Sequence, residues 1–300
     1  MTRTILPERP GIAKWGSCPM LAAAALADDA RMTTPTEDFQ ISPEAAEVYE
    51  ARFVPGIFAE RVPHTLDAAG VRAGQSVLDV ACGTGVVARA AVDRVGPTGS
   101  VTGTDLNEAM LAVARRLAPG IDWQRADAAA LPFDDDRFDA VVCQMAMMFF
   151  PDPVAALTEM ARVARPGGTV AVVVPASLAS SPGYSRFAEV VARHAGREAV
   201  GLVTTYFALG DLDGLRLGFA DAGLTGLEAS SRTGHARFGS IDEFVATEVE
   251  GSPLIERIDD DTYGAIREDC AAELAEYVVG DDGAVAVPFD CHAVAGRVEA

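Results

Sequence analysis

The chain has 300 residues, 49% of them hydrophobic and 23% charged, a globular balance whose apolar content offsets the entropy of ordering and excludes a fibre or a disordered tail. Aspartate and glutamate outnumber lysine and arginine by 44 to 24, and the formal charge of −20 repels nucleic-acid phosphates and anionic lipid surfaces. No nucleic-acid or membrane partner is expected from that charge.

Residues 1–31 carry Arg3, Arg9 and Lys14 followed by Met20–Ala27, loosely imitating a signal peptide. The apolar part is short and mostly alanine, so the segment reads as a loose leader or a start-site extension, with the functional chain, 32–300, beginning near Met32. The five cysteines, Cys18, Cys82, Cys143, Cys270 and Cys291, are odd in number, far apart, and lack zinc spacing, which suits reduced thiols in a cytoplasmic protein and predicts no metal site. No apolar run approaches the roughly 20 residues of a membrane helix; Val170–Val174 stops at Pro175.

From about residue 75, short apolar blocks alternate with helical stretches, the pattern of β-α-β units around a parallel sheet. Ser76–Ala81 reads as the first strand, entering a glycine turn and a helix over about Val86–Val95. Ser100–Asp105 follows as the second strand, and Asn107 caps a helix through Leu117 whose apolar face holds Met110, Leu111, Val113, Ala114 and Leu117. Ile121–Ala126 is the third strand. Phe138–Gln144 is the fourth, with the near-continuous apolar content of a strand covered on both faces. Asp152-Pro153 opens the next helix in the favoured order of cap then proline, Arg165-Pro166-Gly167-Gly168 stops it, and Thr169–Val174 is the fifth strand. Leu212–Ala222 reads as a helix, Leu224–Phe238 as extended chain and Val285–Val298 as a closing strand. Two stretches with amphipathic helical patterns, 177–210 and 240–283, break the alternation and read as lid insertions.

The strongest local signal is Val77-Leu78-Asp79-Val80-Ala81-Cys82-Gly83-Thr84-Gly85. Glycines at 83 and 85 let the backbone turn tightly and approach a ligand without a Cβ in the way. The spacing Gly83, Gly85, Ala88 also fits a dinucleotide turn, and Asp105 lies where such a site places an acid, so the glycines alone do not separate NAD from other ribose-bearing cofactors. Asp79 beside the turn, together with Asp127, does bear on the choice. A carboxylate there repels a pyrophosphate but suits a cofactor carrying an ammonium and a sulfonium, which favours S-adenosylmethionine.

The segments VLDVACGTG, GTDLNEAML, DAAALPFDDDRFDAVVCQ and ARVARPGGTV, within about residues 45–175, resemble the class I S-adenosylmethionine-dependent methyltransferases, in particular the ubiquinone/menaquinone C-methyltransferase and small-molecule methyltransferase branch. The resemblance implies an α/β, Rossmann-like, doubly wound, mostly parallel sheet with an antiparallel last strand and helical lid insertions. It implies S-adenosylmethionine as cofactor and a cytoplasmic enzyme that methylates a small, mostly apolar metabolite, at oxygen or carbon. Asp79, Ala81, Gly83 and Gly85 would surround the methionine part. Asp105 would accept from the ribose hydroxyls, Leu106 would pack on adenine, Asp127 and the Ala128 backbone would meet the adenine edge, and Gln144 would line the methionine portion. Tyr49, with Arg52, would form a flap over the cofactor carboxylate.

Methyl transfer from a sulfonium is an in-line displacement that needs positioning and dryness rather than a covalent enzyme intermediate. The sequence accordingly shows no nucleophile elbow. His194, His235, Tyr206 and Glu248, all in the insertions or beside them, are the groups able to take a proton if the acceptor must lose one, and none is assigned a catalytic role from sequence. Two other readings use the same residues: an NAD-dependent oxidoreductase, and a non-catalytic protein that binds S-adenosylmethionine without turnover.

Overall fold

A computed structural model describes residues 42–299; the leader expected over 1–31 lies outside the described residues. Five strands run parallel: β1 Ser76–Val80, β2 Ser100–Asp105, β3 Asp122–Arg125, β4 Phe138–Gln144 and β5 Ala164–Pro175. With β6 Thr225–Arg232 and β9 Cys291–Arg297 they form one sheet in the order β3-β2-β1-β4-β5-β9-β6. β9 is antiparallel to both neighbours and lies inside the sheet between β5 and β6. A second, two-stranded sheet pairs β7 His235–Phe238 with β8 Val285–Pro288.

Alternate residues of the central strands feed two cores. Val77, Ala140, Val142 and Ala171 face one side with Leu66, Val87, Ala91, Val95, Leu111 and Ala114, from α2 Val62–Ala68, α3 Val86–Val95 and α4 Glu108–Leu117. Leu78, Val141, Cys143, Val170 and Val172 face the other, against Leu157, Met160 and Val163 of α5 Pro153–Val163. Two of the caps read from sequence are present: Asn107 accepts from the Ala109 and Met110 amides, and Asp152 from Ala155, each satisfying donors that the first helical turn leaves open.

A third core lies over the carboxyl ends of the strands. It gathers Phe53, Ile57 and Phe58, which precede the sheet, with α6 Pro182–Ala195, the short α7 Val200–Thr204, α9 Ile241–Glu250 and α10 Asp260–Glu273. The helix α8 Leu212–Asp221 instead joins the second core through Leu215 and Phe219. Ahead of α2, Ser42 caps α1 Pro43–Val48, and Tyr49–Phe58 winds more widely, the Ala59 amide reaching back five residues to the Val54 carbonyl. Pro55 sits inside that segment, where its missing N–H would break an ordinary helical ladder.

Three expectations need correction. The closing strand is not continuous over Val285–Val298: Pro288 cannot donate to a ladder, the chain bends, and Phe289 enters the third core 4.9 Å from the Tyr184 ring, leaving β8 and β9 in different sheets. The extended stretch Leu224–Phe238 likewise divides into β6 and β7, and the Gly234 carbonyl between them accepts from the Phe289 amide. The fifth strand begins at Ala164 rather than Thr169, because Ala164 already pairs with Phe138 before an irregularity in register and Gly167, at φ +77°, bends the chain; pairing resumes at Thr169.

Candidate functional site

The order of the strands reverses between β1 and β4, so a crevice opens at their carboxyl ends, the position where open α/β sheets take ligands. The turn that follows β1 sits there. Ala81, Gly83 and Gly85 adopt φ +53°, +55° and +87°, three left-handed residues in five, and the Ala81 conformation alone costs ~1–2 kcal/mol. The turn is held by the Cys82 amide donating to the Thr104 carbonyl (2.8 Å) and by Gly85 N–H donating to Cys82 O (2.8 Å).

Two carboxylates flank the turn. Asp105, at the end of β2, accepts from Gly83 N–H through Oδ2 and from Asn107 N–H through Oδ1, both at 2.8 Å. Burial raises its pKa above the ordinary range, against those amide bonds, which act to lower it. Asp79 is 1% exposed and accepts from the Ala88 amide at 2.9 Å, capping α3, whose own cap position is occupied by Gly85. Burial, reinforced by the Asp105 charge, pushes its pKa up to about 8. Among the described residues no arginine forms an ion pair with either carboxylate; the nearby Arg89 is engaged by Glu50 at 2.9 Å.

Tyr49 covers the turn: its hydroxyl lies 3.2 Å from where a Cβ on Gly83 would stand, and its ring packs 5.2 Å from that of Phe58. Burial and the Asp105 carboxylate raise its hydroxyl pKa well above the usual value. Gly85 has a different neighbour. The space its side chain would fill holds Trp123, whose Cη2 would be 2.3 Å from the added Cβ, and the same indole lies against Gly103. Gly85 is thus required by its backbone conformation and by the packing of Trp123, beyond any approach of a ligand.

The adenine-side candidates follow from β3. Ala126 N–H donates to the Asp105 carbonyl at 3.1 Å, which brings the next residue, Asp127, to the same end of the sheet. Asp127 Oδ1 accepts from Ala129 N–H in a local turn, and Ala128 is half-buried. Leu106 is half-buried, and its carbonyl accepts from Arg125 Nε at 3.0 Å.

Gln144 is placed differently from the reading the resemblance implies. Its Nε2 donates to the Phe58 carbonyl (3.1 Å) and its Oε1 accepts from Thr65 (2.6 Å), so both ends of the amide bind the helices preceding the sheet. Arg52 faces Glu250 at 3.6 Å, and both side chains are exposed. Sequence reasoning also missed the clamp in which Arg89 donates to the Thr84 carbonyl (2.6 Å) and to Glu50 (2.9 Å), tying the turn to the segment that carries Tyr49. A charged pair 39 residues apart leaves no periodic trace.

A few residues further on, Met145, at φ +57°, borders a gap too narrow for a water molecule with Ile57, Phe58, Tyr184, Tyr206, Phe289 and Glu248. Met147 and Met148 are buried, Met147 within the second core. Glu248 Oε1 accepts from the Tyr184 hydroxyl at 2.8 Å, Oε2 is buried without a partner, and burial pushes the carboxyl pKa up to about 7. A larger open cleft of about 610 Å³, lined by residues such as Ser76, Ser100, Asp122 and Arg165, lies at the amino ends of the strands, remote from the turn.

Of the other groups able to take a proton, His194 pairs with Asp269 at 2.7 Å. His235 contributes its backbone to a bond with Arg61. The thiols of Cys82 and Cys143 are buried and their pKa values raised, so neither is a ready nucleophile.

A buried acid held partly protonated, a second carboxylate without an ion-pair partner, and a buried Thr84 hydroxyl with no hydrogen-bond partner together describe a turn prepared for a polar, cationic ligand. S-adenosylmethionine fits that donor and acceptor set.

Residues 77–168 match the family model described as a methyltransferase domain. Among curated proteins, the ubiquinone/menaquinone biosynthesis C-methyltransferase UbiE of Hahella chejuensis is 43% identical over 115 residues, covering 36% of this chain and 46% of that protein. The demethylmenaquinone methyltransferase of Staphylococcus aureus is 44% identical over 104 residues, covering 34% and 43%. The chain therefore spans less than half the length of these relatives. Among solved structures, phosphoethanolamine N-methyltransferase 2 of Haemonchus contortus, in complex with S-adenosyl-L-methionine, superposes with a TM-score of 0.59 at 17% identity, over 90% of this chain and 61% of that one. The YcgJ protein of Bacillus subtilis gives a TM-score of 0.54 at 18% identity, over 80% and 99%. The sequence match and the shared fold agree: residues 77–168 are similar to a methyltransferase domain, and the chain has the Rossmann-like fold of these solved structures.

Proposed function

We propose that the protein transfers a methyl group from S-adenosylmethionine to a small, mostly apolar metabolite, at oxygen or carbon. The observation that carries this reading is the pair of acids, buried Asp79 and half-buried Asp105, flanking a left-handed turn at the reversal of strand order, neither of them in an ion pair among the described residues. Two neighbouring acids without ion pairs raise the cost of ionising each other, and a positive ligand placed between them lowers it. A diphosphate would meet the opposite balance.

Bound there, S-adenosylmethionine supplies a methyl group on a positively charged sulfur. Asp105 keeps lone pairs beyond its two amide bonds and would take the ribose hydroxyls. Leu106 would pack on the adenine, and Asp127 with the Ala128 backbone would meet its edge. Ala81, Gly83 and Gly85 would follow the methionine chain, with Asp79 beneath them and Tyr49 above. Gln144 acts one step back, fixing α2 and the Phe58 backbone against the end of β4. The helices of 177–210 and 240–283 would serve as the lid that excludes water from the reacting groups. Buried Cys82, Cys143, Cys270 and Cys291, all unpaired, suit the reducing cytoplasm, and among the described residues no helix is long and apolar enough to cross a membrane.

The test is calorimetric titration with S-adenosylmethionine and, separately, with NADH. Asp105→Ala should weaken S-adenosylmethionine by ~1.5–3 kcal/mol, roughly 10- to 150-fold, by removing charged hydrogen bonds to the ribose. Label transfer from the cofactor into a metabolite extract then separates an enzyme from a binding protein. NADH binding with no S-adenosylmethionine binding, or an unchanged affinity in the Asp105 variant, would refute the assignment.

A further inference from the structure

The seven-stranded sheet ends on one side in β6, and that edge is bare. Thr225, Gly226 and every residue from Glu228 to Arg232 are exposed, Leu227 alone being half-buried, and among the described residues no strand pairs with the side of β6 away from β9. The opposite edge, β3, has only four residues, which limits what can pair with it. β6 has eight, carries no lysine or proline, and shows a single irregularity of register, between Thr225 and Glu228. An edge left open in this way presents unpaired N–H and C=O groups that a further strand would satisfy.

The hydrogen bonds of the ladder fix which groups those are. Phe289 N–H donates to the Gly234 carbonyl at 2.8 Å, and that pair continues the register that sets Arg232 opposite Cys291, Ser230 opposite Ala293 and Glu228 opposite Ala295. On the other side of β9, Ala176 N–H donates to the Asp290 carbonyl at 2.8 Å, so the even-numbered residues of that strand serve β5 and the odd-numbered ones serve β6. Glu228, Ser230 and Arg232 therefore turn their backbone groups inward to β9, and Ala229 and Ser231 turn theirs to the open edge. The side chains of Ser230 and Arg232 lie over α2, at His64 (2.9 Å) and Asp67 (3.5 Å). Glu228 shares their face by strand period and forms no ion pair among the described residues.

We propose that β6 pairs antiparallel with β6 of a second copy of this chain, joining the two sheets across a two-fold axis at Ser230. Since Ala229 and Ser231 offer the outward backbone groups of the regular part, the two strands must meet odd residue to odd residue, which centres the axis on a residue rather than between two. Centring on Glu228 or Arg232 sets like charges face to face, and centring on Ala229 or Ser231 leaves both charges unmatched. Centring on Ser230 sets Ala229 against the partner's Ser231, closing two reciprocal pairs of backbone hydrogen bonds, and sets Glu228 against the partner's Arg232 on both sides of the axis. Those charges fall in the non-hydrogen-bonded pairs, where side chains are nearest. An edge protected from pairing carries charges that repel its own copy; these attract it.

The formal charge of −20 on each chain disfavours unspecific association, so local complementarity selects both the surface and the register. Two strand edges alone bury less than the ~1,200 Å² of a standard stable interface, so the dimer is a reversible one, with a Kd of about 1–50 µM expected. A two-fold axis perpendicular to the sheet reverses the direction of the strands. The crevices at the carboxyl ends of β1 and β4 therefore open at opposite ends of the joined sheet, and the proposal is independent of which cofactor the turn takes.

The test is sedimentation equilibrium of the full chain from about 1 to 200 µM, where the wild type should approach twice the chain mass at the upper end. Arg232→Glu, which brings like charges together at both pairs, should weaken association at least ~10-fold. Glu228→Arg combined with Arg232→Glu restores both pairs and the net charge and should return the Kd to within about threefold of wild type. Ser231→Pro removes an outward N–H without touching the ladder to β9 and should abolish the dimer. Mild oxidation reads the register separately: Ser230→Cys places two thiols across the axis at a Cα separation of about 4.5 Å and should cross-link, whereas Ser231→Cys, facing the partner's Ala229, should not. A chain still monomeric at about 200 µM, its edge left to solvent or to a strand of another protein, would overturn the proposal. So would a dimer indifferent to Arg232→Glu and Ser231→Pro, a charge-exchanged variant no tighter than Arg232→Glu alone, or cross-linking as ready through Ser231→Cys as through Ser230→Cys. The wild-type mass and the cross-linking pair decide the matter even if a charge variant does not fold.

Discussion

Trp123 makes a sharp test of why the glycines near the turn are glycines. A Cβ on Gly103 would lie 2.3 Å from Trp123 Cζ3, and one on Gly85 2.3 Å from Cη2, so Gly103→Ala and Gly85→Ala share one steric conflict. Forcing a methyl into a filled core costs ~1–3 kcal/mol. Gly85 differs in also holding φ +87°, where an alanine adds ~1–2 kcal/mol of backbone strain. Urea unfolding should therefore give losses of ~1–3 kcal/mol for Gly103→Ala and ~2–5 kcal/mol for Gly85→Ala. Repeating both in a Trp123→Leu background withdraws the six-membered ring that both methyls would strike. The lost indole bond to the Ala118 carbonyl, 2.9 Å, is common to every member of that background and cancels. There Gly103→Ala should become nearly neutral while Gly85→Ala retains its backbone part. Equal costs in the two backgrounds would refute the packing argument, and equal costs for the two glycines would refute the conformational one.

Arg61 is 4% exposed, stacks 4.8 Å over Phe289, and donates to the carbonyls of Ile57, His235 and Phe289, so Arg61→Ala should lose ~3–5 kcal/mol in urea unfolding and Arg61→Lys, lacking the planar fork, should recover little. A loss below about 1 kcal/mol would contradict that role. Asp79 holds its proton in the folded chain up to about pH 8 and releases it near 4 when unfolded, so its contribution falls as pH rises between those values. Asp79→Asn should flatten the decline in stability from pH 5 to 7 by up to ~1 kcal/mol per pH unit, and matching slopes in the two proteins would reject the shift.

What the sequence made legible was local. The apolar blocks, the caps at Asn107 and Asp152 and the glycine turn each announce themselves within a few residues, because strand period, helix period and cap chemistry are short-range rules. The grouping of Asp79, Gly83 and Asp105 at one end of the sheet follows from those elements once the strands are ordered. What escaped was set by contacts between distant segments. Trp123 beneath Gly85, Thr65 on Gln144, Arg89 on Glu50 and Tyr184 on Glu248 are pairs whose partners have no sequence relation. The break at Pro288 had a local sign, the missing donor, but the aromatic core that receives Phe289 was invisible along the chain.

The state of Asp79 also ties ligand binding to protons. At pH 7 a carboxyl with a pKa of about 8 is mostly protonated, and a cation placed beside it favours ionisation, so binding S-adenosylmethionine should drive a proton into the buffer. Calorimetry in buffers of different ionisation enthalpy reads the number directly, and we expect a substantial fraction of one proton released at pH 7, falling toward zero above pH 9. Affinity should rise with pH over the same interval and level off beyond it. Asp79→Asn removes most of the release while keeping an acceptor for the Ala88 amide, so helix α3 remains capped and the comparison isolates charge from folding. A heat of binding independent of buffer at pH 7 would mean that the positive groups of the ligand lie elsewhere, and the electrostatic case for this cofactor would fail while the fold stood unchanged.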